Sequence, residues 1–480
     1  MTRQSVAIIG AGMAGLCMAI RLREAGYQEI AIYEKADSAG GTWRENTYPG
    51  VSCDVPSHLY SYSFALNADW SRAFSSGAEI RAYIERCIER YRIRQYIHYG
   101  TEIDRCAYTD NGWQLNDTNG KRYTADALVS AMGGLHIPNI PDIPGSDQFA
   151  GAVFHSARWD HDFDPAGKRV AVIGSAASAV QIVPQLARQT RHLYVFQRTA
   201  NWIIPRGDGD VAGWKKWILR RVPGALRTYR WLLYWMAESR FPAFRSGSLA
   251  NRLGRLWPLW YLRREVPDRK LRRQLTPDYP LGCKRILRSD DYYRALVRDD
   301  VELVTAPVRQ FDNSGIEAGN DHYAVDAIVF ATGFRVFDVT SNVRIEGQSG
   351  QLLSERWAEG IGAHRTVMVP GFPNFFMLLG PNSALGHNSV IVMIEAQTRY
   401  VAGCLEALQA HRWQSLQPST SAYKRDQEKI HKALDKTVWR AGCSSWYQDE
   451  HGKIFTLWPH TATRYRLSLR RPRLDEFDVD

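Results

Sequence analysis

The sequence lacks the long apolar runs and the leader pattern that mark membrane-spanning or secreted proteins. A spanning helix needs about 18–20 apolar residues in a row, and no stretch reaches that length. The mean hydropathy is −0.36. The start of the chain is polar and leads directly into the apolar Val6–Ile9, without the basic and apolar regions of a signal peptide. We therefore expect a cytoplasmic protein.

Cysteine is scarce, and its spacing points to no site. The 480 residues include seven cysteines, an odd number, and no two of them have Cys-x-x-Cys spacing. A disulfide framework, a zinc site and a redox-active dithiol are therefore not expected. We predict no metal site.

Acidic residues are few compared with basic ones in one segment, which holds the net positive charge of the chain. The whole sequence carries +11. Residues 206–273 contain 17 Lys/Arg and 5 Asp/Glu, hence +12, so the rest carries −1. The same segment contains six tryptophans, namely Trp214, Trp217, Trp231, Trp235, Trp257 and Trp260. Their helical spacing predicts amphipathic helices broken at Pro223, Pro242 and Pro258.

Three interpretations of this segment are open. It is a helical cap packed on the rest of the protein, a surface that contacts an anionic membrane, or a binding surface for single-stranded nucleic acid. We favour the cap, because basic amphipathic patterns are common on ordinary helices. No recognition motif supports nucleic acid.

The N-terminal sequence has the order strand, glycine-rich turn, helix, strand and acid. Gly10-Ala11-Gly12-Met13-Ala14-Gly15 follows the first strand, and Glu34 ends the second. Gly10 permits a tight turn, Gly12 lets the backbone approach a pyrophosphate, and Gly15 lets helix and strand pack closely. Glu34 lies 19 residues beyond Gly15 and can accept from both ribose hydroxyls. The complete unit predicts a dinucleotide site at the helix N-terminus.

A second unit of this kind begins at Val170, with a degraded glycine motif. Gly174-Ser175-Ala176-Ala177-Ser178-Ala179 has alanine at the second and third glycine positions. The third position tolerates alanine, whereas the methyl group of Ala176 stands where a pyrophosphate would come closest. Arg198 and Thr199 replace the usual acid, and Arg198 can bind a 2′-phosphate. We therefore expect NADPH, with a structural relic that binds nothing as the alternative.

These units predict an α/β protein with two Rossmann-like dinucleotide-binding domains and a helical insertion. The pattern resembles the FAD/NAD(P)-dependent two-domain flavoproteins, in which the position of Gly41, Thr42 and Trp43 continues the FAD site. An Ala-Thr-Gly segment, here residues 331–333, returns their chain to the FAD domain. We predict an FAD domain over 1–145 and 325–480, and between them an NADP domain over 146–324 that carries the insertion at about 206–275.

A more specific resemblance lies just before the second unit. Phe149, Gly151, His155, Trp159 and Asp160 match Phe-x-Gly-x-x-x-His-x-x-x-Trp-Asp. The sequence thereby resembles the type I Baeyer–Villiger monooxygenases, which are class B flavoprotein monooxygenases. Related N- and S-oxidising flavin monooxygenases have a similar pattern that ends in another aromatic residue. In the resembled family, the histidine belongs to a linker whose movement couples NADP to the flavin.

The resemblance implies roles for residues elsewhere. The stretch from Tyr48 to Asp54 is similar to a family segment whose aspartate lies beside the flavin. Lys284 and Arg285 match a family Lys-Arg pair, in which the lysine reaches the 2′-phosphate and the arginine is catalytic. Asn388 opens an apolar helix through Ile394 near the flavin. The candidate FAD residues are Gly10, Gly12, Gly15, Glu34, Gly41, Thr42, Trp43, Asp54, Tyr60 and Asn388, and the candidate NADP residues are Gly174, Ser175, Ala176, Ser178, Arg198, Thr199, Lys284 and Arg285.

The resemblance implies an FAD enzyme that uses NADPH and O₂ to insert oxygen beside a ketone carbonyl, through a C4a-peroxyflavin, giving an ester or lactone. Arg285 would stabilise the anionic peroxide and the adduct, and Asp54 would hold Arg285 by a bidentate hydrogen bond. The implied partners are O₂ and a small ketone or soft heteroatom substrate, without nucleic acid. A peripheral membrane contact through 206–275 stays open.

Three other functions are weighed against this one. An N- or S-oxidising flavin monooxygenase shares most of the fingerprint. A flavin disulfide reductase is disfavoured, because no Cys-x₄-Cys follows the first glycine motif. A non-catalytic scaffold that binds flavin or associates with a membrane is the third.

Overall fold

The computed structural model describes residues 4–336, 343–443, 445–449 and 451–480. Two parallel five-stranded sheets form its centre, and helices pack against both. This is the predicted α/β architecture with two Rossmann-like units and a helical insertion.

The first sheet combines the N-terminal strands with a strand from late in the chain. Its order is Phe375–Met377, Ala127–Ser130, Val6–Ile9, Ile30–Tyr33 and Ile97–His98. All its pairs are parallel. The central strand is buried throughout, because four consecutive apolar residues are covered on both faces of the sheet. The helix that follows the first glycine turn packs against the long helix Val390–His411.

The second sheet is also parallel, in the order Val301–Val304, His192–Phe196, Arg169–Ile173, Ala327–Phe330 and Ala152–His155. The strand Ala327–Phe330 is fully buried and pairs on both sides within this sheet. The boundary predicted after residue 324 is therefore too early, because this strand completes the second sheet before residues 331–333 leave it.

Within the described part of the chain, four smaller sheets accompany the two large ones. Their strands are Ile103–Thr109, Gly112–Asp117, Arg122–Ala125 and Arg344–Glu346 in one, Val308–Phe311, Gly315–Ala318 and Asp321–Ala324 in another, and the pairs Ile203–Ile204 with Leu287–Arg288 and Leu416–Pro418 with Phe477–Val479.

The α-helices among the described residues are Met13–Glu24, Thr42–Glu45, Gly77–Arg90, Ala177–Leu186, Gly213–Arg221, Ala225–Glu238, Leu249–Gly254, Leu256–Glu265, Arg269–Gln274, Tyr292–Leu296, Leu353–Arg356, Val390–His411, Thr420–Leu434 and Ala462–Ser468. Short 3₁₀ helices cover Arg94–Tyr96, Ser156–Arg158, Phe241–Phe244, Gln348–Gly350, Val438–Arg440 and Leu474–Glu476. No helix in these ranges has the length and apolarity to cross a bilayer.

The helical insertion differs from the prediction at one proline. The chain breaks near Pro223, and Pro242 lies in a 3₁₀ turn. Pro258, however, lies inside the helix Leu256–Glu265. It occupies the first turn, where a missing N–H removes no intrahelical hydrogen bond. The helix predicted through Ile394 is also longer and ends at His411.

Cysteine pairing is a second correction. Cys283 and Cys443 form a disulfide, with Cα atoms 6.3 Å apart and 160 residues between them in sequence. The sequence predicts no disulfide framework, yet this one pair forms, because the fold joins two segments that no local spacing connects. Cys17, Cys53, Cys87, Cys106 and Cys404 are free and buried.

Candidate active site

The first glycine turn is built for close backbone approach. Gly10 has φ +103°, and a Cβ there would lie 2.8 Å from the carbonyl oxygen of Ala131. A Cβ on Gly15 would lie 2.0 Å from the carbonyl oxygen of Gly10. Gly12 caps the helix Met13–Glu24 without a side-chain hydrogen bond. The first N–H groups of that helix are therefore available to an anion.

Glu34 stands at the end of the second strand and faces this turn. Its carboxylate is buried and accepts hydrogen bonds from the backbone N–H of Ala11 at 2.8 Å and of Ala36 at 3.0 Å. An ionised carboxylate has about four acceptor positions. Glu34 therefore fixes the turn and keeps capacity for further donors.

The Gly41 turn lies directly against the first glycine turn. Gly41 has φ +52°, and a Cβ there would lie 3.1 Å from Cα of Gly12. The next helix begins at Thr42, and its Trp43 donates from Nε1 to the hydroxyl of Tyr60 at 3.1 Å. Four candidate FAD segments are thus brought together around one turn.

Asp54 and Arg285 form a bidentate ion pair across 231 residues of sequence. Arg285 Nε donates to Oδ2 at 2.9 Å, and Nη2 donates to Oδ1 at 2.8 Å and to Oδ2 at 2.6 Å. Their side chains are 38% and 27% exposed for Arg285 and Asp54 respectively. The pair therefore presents a fixed guanidinium to an accessible space.

Charge stabilises both members in their ionised forms. Burial alone would raise the pKa of Asp54, but the charge and hydrogen bonds of Arg285 outweigh it and lower that pKa. The neighbouring Asp54 carboxylate raises the pKa of Arg285 against the effect of burial. The guanidinium is therefore charged throughout the working pH range.

Further side chains surround the Asp54–Arg285 ion pair, and no sequence motif indicated them. Burial, with Arg240 next in weight, lowers the pKa of Arg288 to about 10. Arg206 Nη2 donates to the carbonyl oxygen of Cys53 at 2.9 Å, beside Asp54. Burial raises the pKa of Tyr447 to about 12, although the charge of Arg285 opposes it. The neighbourhood of Asp54 is thus rich in arginine, a property that isolated arginines in the sequence do not signal.

The second glycine turn has the same backbone form as the first. Gly174 has φ +118°, and a Cβ there would lie 2.3 Å from the carbonyl oxygen of Ala331. Ala176 caps the helix Ala177–Leu186 without a side-chain hydrogen bond and is exposed. Ser175 Oγ donates to the carbonyl oxygen of Thr199 at 3.1 Å. The turn is therefore formed in spite of the degraded motif, and the Ala176 methyl group stands at its open end.

The helix of this turn also holds the loop that leads to Asp54. Tyr48 donates from its hydroxyl to Gln181 Oε1 at 3.0 Å, and Gln181 Nε2 donates to the carbonyl oxygen of Ser52 at 3.0 Å. Ser178 also forms a side-chain hydrogen bond with Tyr48. Hydrogen bonds therefore connect the second dinucleotide unit directly to the loop that leads to Asp54.

Arg198 and Lys284 lie close enough to influence each other. Burial lowers the pKa of Lys284, and the charge of Arg198 lowers it further. Arg198 is exposed and forms no ion pair among the described residues. A lysine whose charged form is destabilised by burial and by a neighbouring arginine is suited to bind an anion.

The fingerprint residues pack at the link between the two sheets. A Cβ on Gly151 would lie 2.4 Å from the carbonyl oxygen of Asp326 and 2.6 Å from the Phe149 ring, which explains this glycine. His155 ends a strand of the second sheet, and its Nδ1 accepts from the N–H of Ala157 at 3.1 Å. Its ring lies 5.9 Å from that of Phe334, just after residues 331–333. Burial lowers the pKa of His155 to about 4, so its ring is neutral near pH 7.

The last two fingerprint residues serve local packing. The Trp159 ring meets the Phe154 ring edge-on at 5.0 Å. Asp160 accepts from the N–H of Asp162 at 3.0 Å.

Asn388 is hydrogen-bonded to the buried carboxylate of Glu238, which the sequence analysis missed. Its Nδ2 donates to Glu238 Oε1 at 2.8 Å, and its Oδ1 accepts from the N–H of Ser389 at 2.7 Å. Glu238 also contacts His387 Nε2 at 3.0 Å and accepts from Thr463. Burial alone would raise the pKa of Glu238, but these hydrogen bonds lower it to about 2. A carboxylate of the insertion thus fixes the loop that opens the helix Val390–His411.

Comparisons with known proteins agree with this architecture. A model of the pyridine nucleotide-disulphide oxidoreductase family matches residues 7–225. The chain is 42% identical over 471 residues to a Baeyer–Villiger monooxygenase of Pseudomonas aeruginosa, covering 97% of this chain and 89% of the relative. It is 42% identical over 481 residues to a Baeyer–Villiger monooxygenase of Streptomyces coelicolor, covering 99% and 92% respectively.

Solved structures give the same result for the fold. OTEMO in complex with FAD and NADP matches with a TM-score of 0.90 at 27% identity, over 100% of both chains. Oxidised steroid monooxygenase bound to NADP matches with a TM-score of 0.86 at 28% identity, over 99% of both chains.

Two parallel sheets, each with a glycine turn at a helix N-terminus, define the class of two-unit dinucleotide-binding oxidoreductases. Within that class, the relationship across nearly the whole chain is decisive. The chain belongs to the Baeyer–Villiger monooxygenase family. The family indicated by the fingerprint is therefore confirmed, whereas the roles of individual residues stay predictions.

Proposed function

We propose that this protein is an FAD enzyme that uses NADPH and O₂ to convert a ketone into an ester or lactone. One ketone, one O₂, one NADPH and one proton would yield one ester, one NADP⁺ and one water. The observation that carries the proposal is the bidentate Asp54–Arg285 pair, which fixes a permanent positive charge where segments of the two dinucleotide units meet.

The residues of the first unit fit FAD. The turn through Gly10 and Gly15 excludes side chains and presents an uncapped helix start, which suits a pyrophosphate. Glu34 keeps acceptor capacity for ribose hydroxyls. The remaining proposed FAD contacts are Gly12, Gly41, Thr42, Trp43, Asp54, Tyr60 and Asn388. Bound FAD would supply the redox chemistry through which electrons from NADPH activate O₂.

The residues of the second unit fit NADPH. Gly174, Ser175, Ala176 and Ser178 surround the uncapped start of the helix Ala177–Leu186, where a pyrophosphate is expected. Lys284 and Arg198, with Thr199 beside Arg198, would hold the 2′-phosphate. The lowered pKa of Lys284 beside Arg198 supports this assignment, because a bound phosphate dianion would stabilise the charged form of the lysine.

Arg285 would act on the substrate. Its guanidinium would stabilise the negative charge that develops on the carbonyl oxygen during oxygen insertion. Asp54 would position the guanidinium, since three donor–acceptor contacts restrict its plane. The neutral, buried His155 would belong to the moving link between the units, because it packs beside residues 331–333.

The proposal includes an organisation and a setting. We assign the FAD unit to residues 1–145 and 331–480, and the NADP unit to residues 146–330 with the insertion at about 206–275. The partners would be O₂ and a ketone or soft heteroatom compound, without nucleic acid, in the cytoplasm.

Product identification tests the reaction. Purified protein reconstituted with FAD is given NADPH in air with a ketone, a tertiary amine or a sulfide in parallel. We expect ester or lactone from the ketone, in proportion to the NADPH consumed, and no ester under argon.

Two other results would favour different kinds of protein. An amine oxide without any ester would favour the N-oxidising flavin monooxygenases. FAD binding without any NADPH oxidation in air, whichever substrate is present, would favour a non-catalytic scaffold. Both results would contradict the proposal.

A further inference from the structure

Two helices of the insertion expose apolar faces of unusual size. Trp214 is 69% exposed and Trp217 61% exposed on the helix Gly213–Arg221. On the next helix, Ala225–Glu238, Trp231 is 58% and Met236 56% exposed. Soluble proteins rarely expose several large apolar side chains together, and such patches mark interaction sites. We call these two helices the cap pair.

The exposed residues follow helical spacing, so each helix of the cap pair has one apolar outer face. On the second helix the outer face consists of Trp231, Leu232, Trp235 and Met236, and on the first it consists of Trp214, Trp217 and Ile218. The rings of Trp231 and Trp235 contact each other at 6.1 Å. The buried residues of the second helix are Tyr234, Ala237 and Glu238. The exposed side is therefore not the core-facing side of these helices.

The cap pair is held as a unit and is anchored to the active-site region. Lys215 Nζ of the first helix donates to the hydroxyl of Tyr229 on the second at 2.9 Å. Glu238, at the end of the second helix, binds the loop of His387 and Asn388. The helix that carries this apolar outer face is therefore hydrogen-bonded directly to the proposed flavin loop.

The positive charge of the insertion favours an anionic partner for this face. Residues 206–273 carry +12 and the rest of the chain −1. Arg221 and Arg227 are exposed and form no ion pair among the described residues. A second copy of this chain would present the same positive charge and be repelled. The bases of single-stranded nucleic acid would stack on the tryptophans, but Leu232 and Met236 have no aromatic ring on which a base could stack.

We propose that the cap pair docks on the surface of an anionic phospholipid bilayer. The tryptophans and aliphatic side chains would enter the headgroup boundary, where indole rings are favoured. The arginines and lysines would contact the lipid phosphates. Docking in this way would place the enzyme where apolar ketones accumulate. The docking proposal does not depend on the proposed reaction.

Sedimentation with vesicles tests this proposal. The full-length protein with FAD is mixed with vesicles of equal parts phosphatidylglycerol and phosphatidylcholine, or of phosphatidylcholine alone. We expect sedimentation with the anionic vesicles, weaker binding to the neutral ones, and release of the protein at about 0.5 M salt, where charge interactions are screened.

Two pairs of substitutions separate the apolar from the electrostatic contribution. Trp231→Ser/Trp235→Ser is expected to weaken binding by about tenfold or more, because two interfacial rings are lost. Arg221→Gln/Arg227→Gln is expected to weaken it about fivefold per charge removed. The control Ile140→Ser/Leu474→Ser changes two exposed apolar side chains elsewhere and is expected to bind like the original protein.

The outcomes are decisive for the proposal. Absence of wild-type sedimentation with anionic vesicles would overturn it, as would equal binding by the tryptophan pair and the wild type. A change of oligomeric state in the tryptophan variant without any vesicle binding would assign the face to a second copy instead. NADPH oxidation, measured separately, reports on the proposed reaction alone, so failure of one proposal does not imply failure of the other.

Discussion

Replacement of Arg285 by alanine is expected to separate NADPH oxidation from ketone oxygenation. Arg285 is held by Asp54 through contacts of 2.6–2.9 Å. The substitution leaves both glycine turns and Lys284 in place. NADPH should therefore still bind and reduce the flavin, whereas the negative charge that develops on the carbonyl oxygen would lose its counter-charge.

The size of the effect follows from the geometry. A preorganised donor to a developing oxyanion contributes about 2.7–4 kcal/mol, or about 10²–10³ in rate. A full charge about 4 Å away contributes a comparable 4 kcal/mol at an effective dielectric constant of about 20. Because the Arg285 side chain is 38% exposed, screening favours the lower end of this range. We expect ester formation to fall at least about 100-fold.

Two assays are needed for this variant. Anaerobic bleaching of the flavin absorbance by NADPH measures reduction, and ester formed per NADPH in air measures oxygenation. Arg285→Lys, which keeps the charge but not the bidentate contact, should fall between the wild type and the alanine variant. Ester formation by Arg285→Ala at close to the wild-type rate would refute the role of the guanidinium, and an equal loss of flavin reduction would place its role in hydride transfer instead.

Three further substitutions test other parts of the account. Ala176→Gly should lower the KM for NADPH about fivefold, equivalent to about 1 kcal/mol, since it removes a methyl group at the open end of the turn; an unchanged KM would mean that the pyrophosphate lies elsewhere. Lys284→Ala should raise the KM for NADPH by about 10- to 150-fold, equivalent to about 1.5–3 kcal/mol, and leave that for NADH unchanged, because only NADPH has the 2′-phosphate; equal effects on both would contradict this contact. Glu238→Gln should lower the free energy of unfolding by about 3 kcal/mol near pH 7, from the folded-state pKa of about 2 against an ordinary 4.5. A carboxyl group whose pKa is lowered by folding stabilises the folded state at pH values above its pKa in the unfolded chain. The deficit of the variant should therefore shrink as the pH falls from about 4.5 to 2 in thermal or denaturant unfolding. A deficit that is constant with pH would point to lost packing.

The parts of the fold that local sequence determines were predictable. Each dinucleotide unit is a continuous strand, glycine turn and helix, so the constraint on Gly10, Gly15 and Gly174 acts between neighbours in sequence. The second unit also forms without its full motif, because the backbone requires only Gly174 at positive φ. The strand Ala327–Phe330 could not be assigned to a sheet from its sequence, since an apolar strand fits either one.

The site was predictable only in part, and for a different reason. Asp54 and Arg285 were linked by family resemblance, because 231 residues separate them and no spacing rule connects them. Glu238 and the Cys283–Cys443 pair were missed, because their partners are brought to them only by tertiary structure. An acidic residue in a basic helix is the one signal that could have identified Glu238, since a carboxylate isolated among arginines often has a specific partner.

The central claim is that this chain places one atom of O₂ beside a ketone carbonyl. Its most direct test is the mass of the product formed from an unlabelled ketone under ¹⁸O₂ with NADPH. We predict an ester or lactone that carries a single ¹⁸O atom, formed in step with NADPH oxidation. An unlabelled product, or complete NADPH oxidation with the ketone recovered unchanged, would contradict the account.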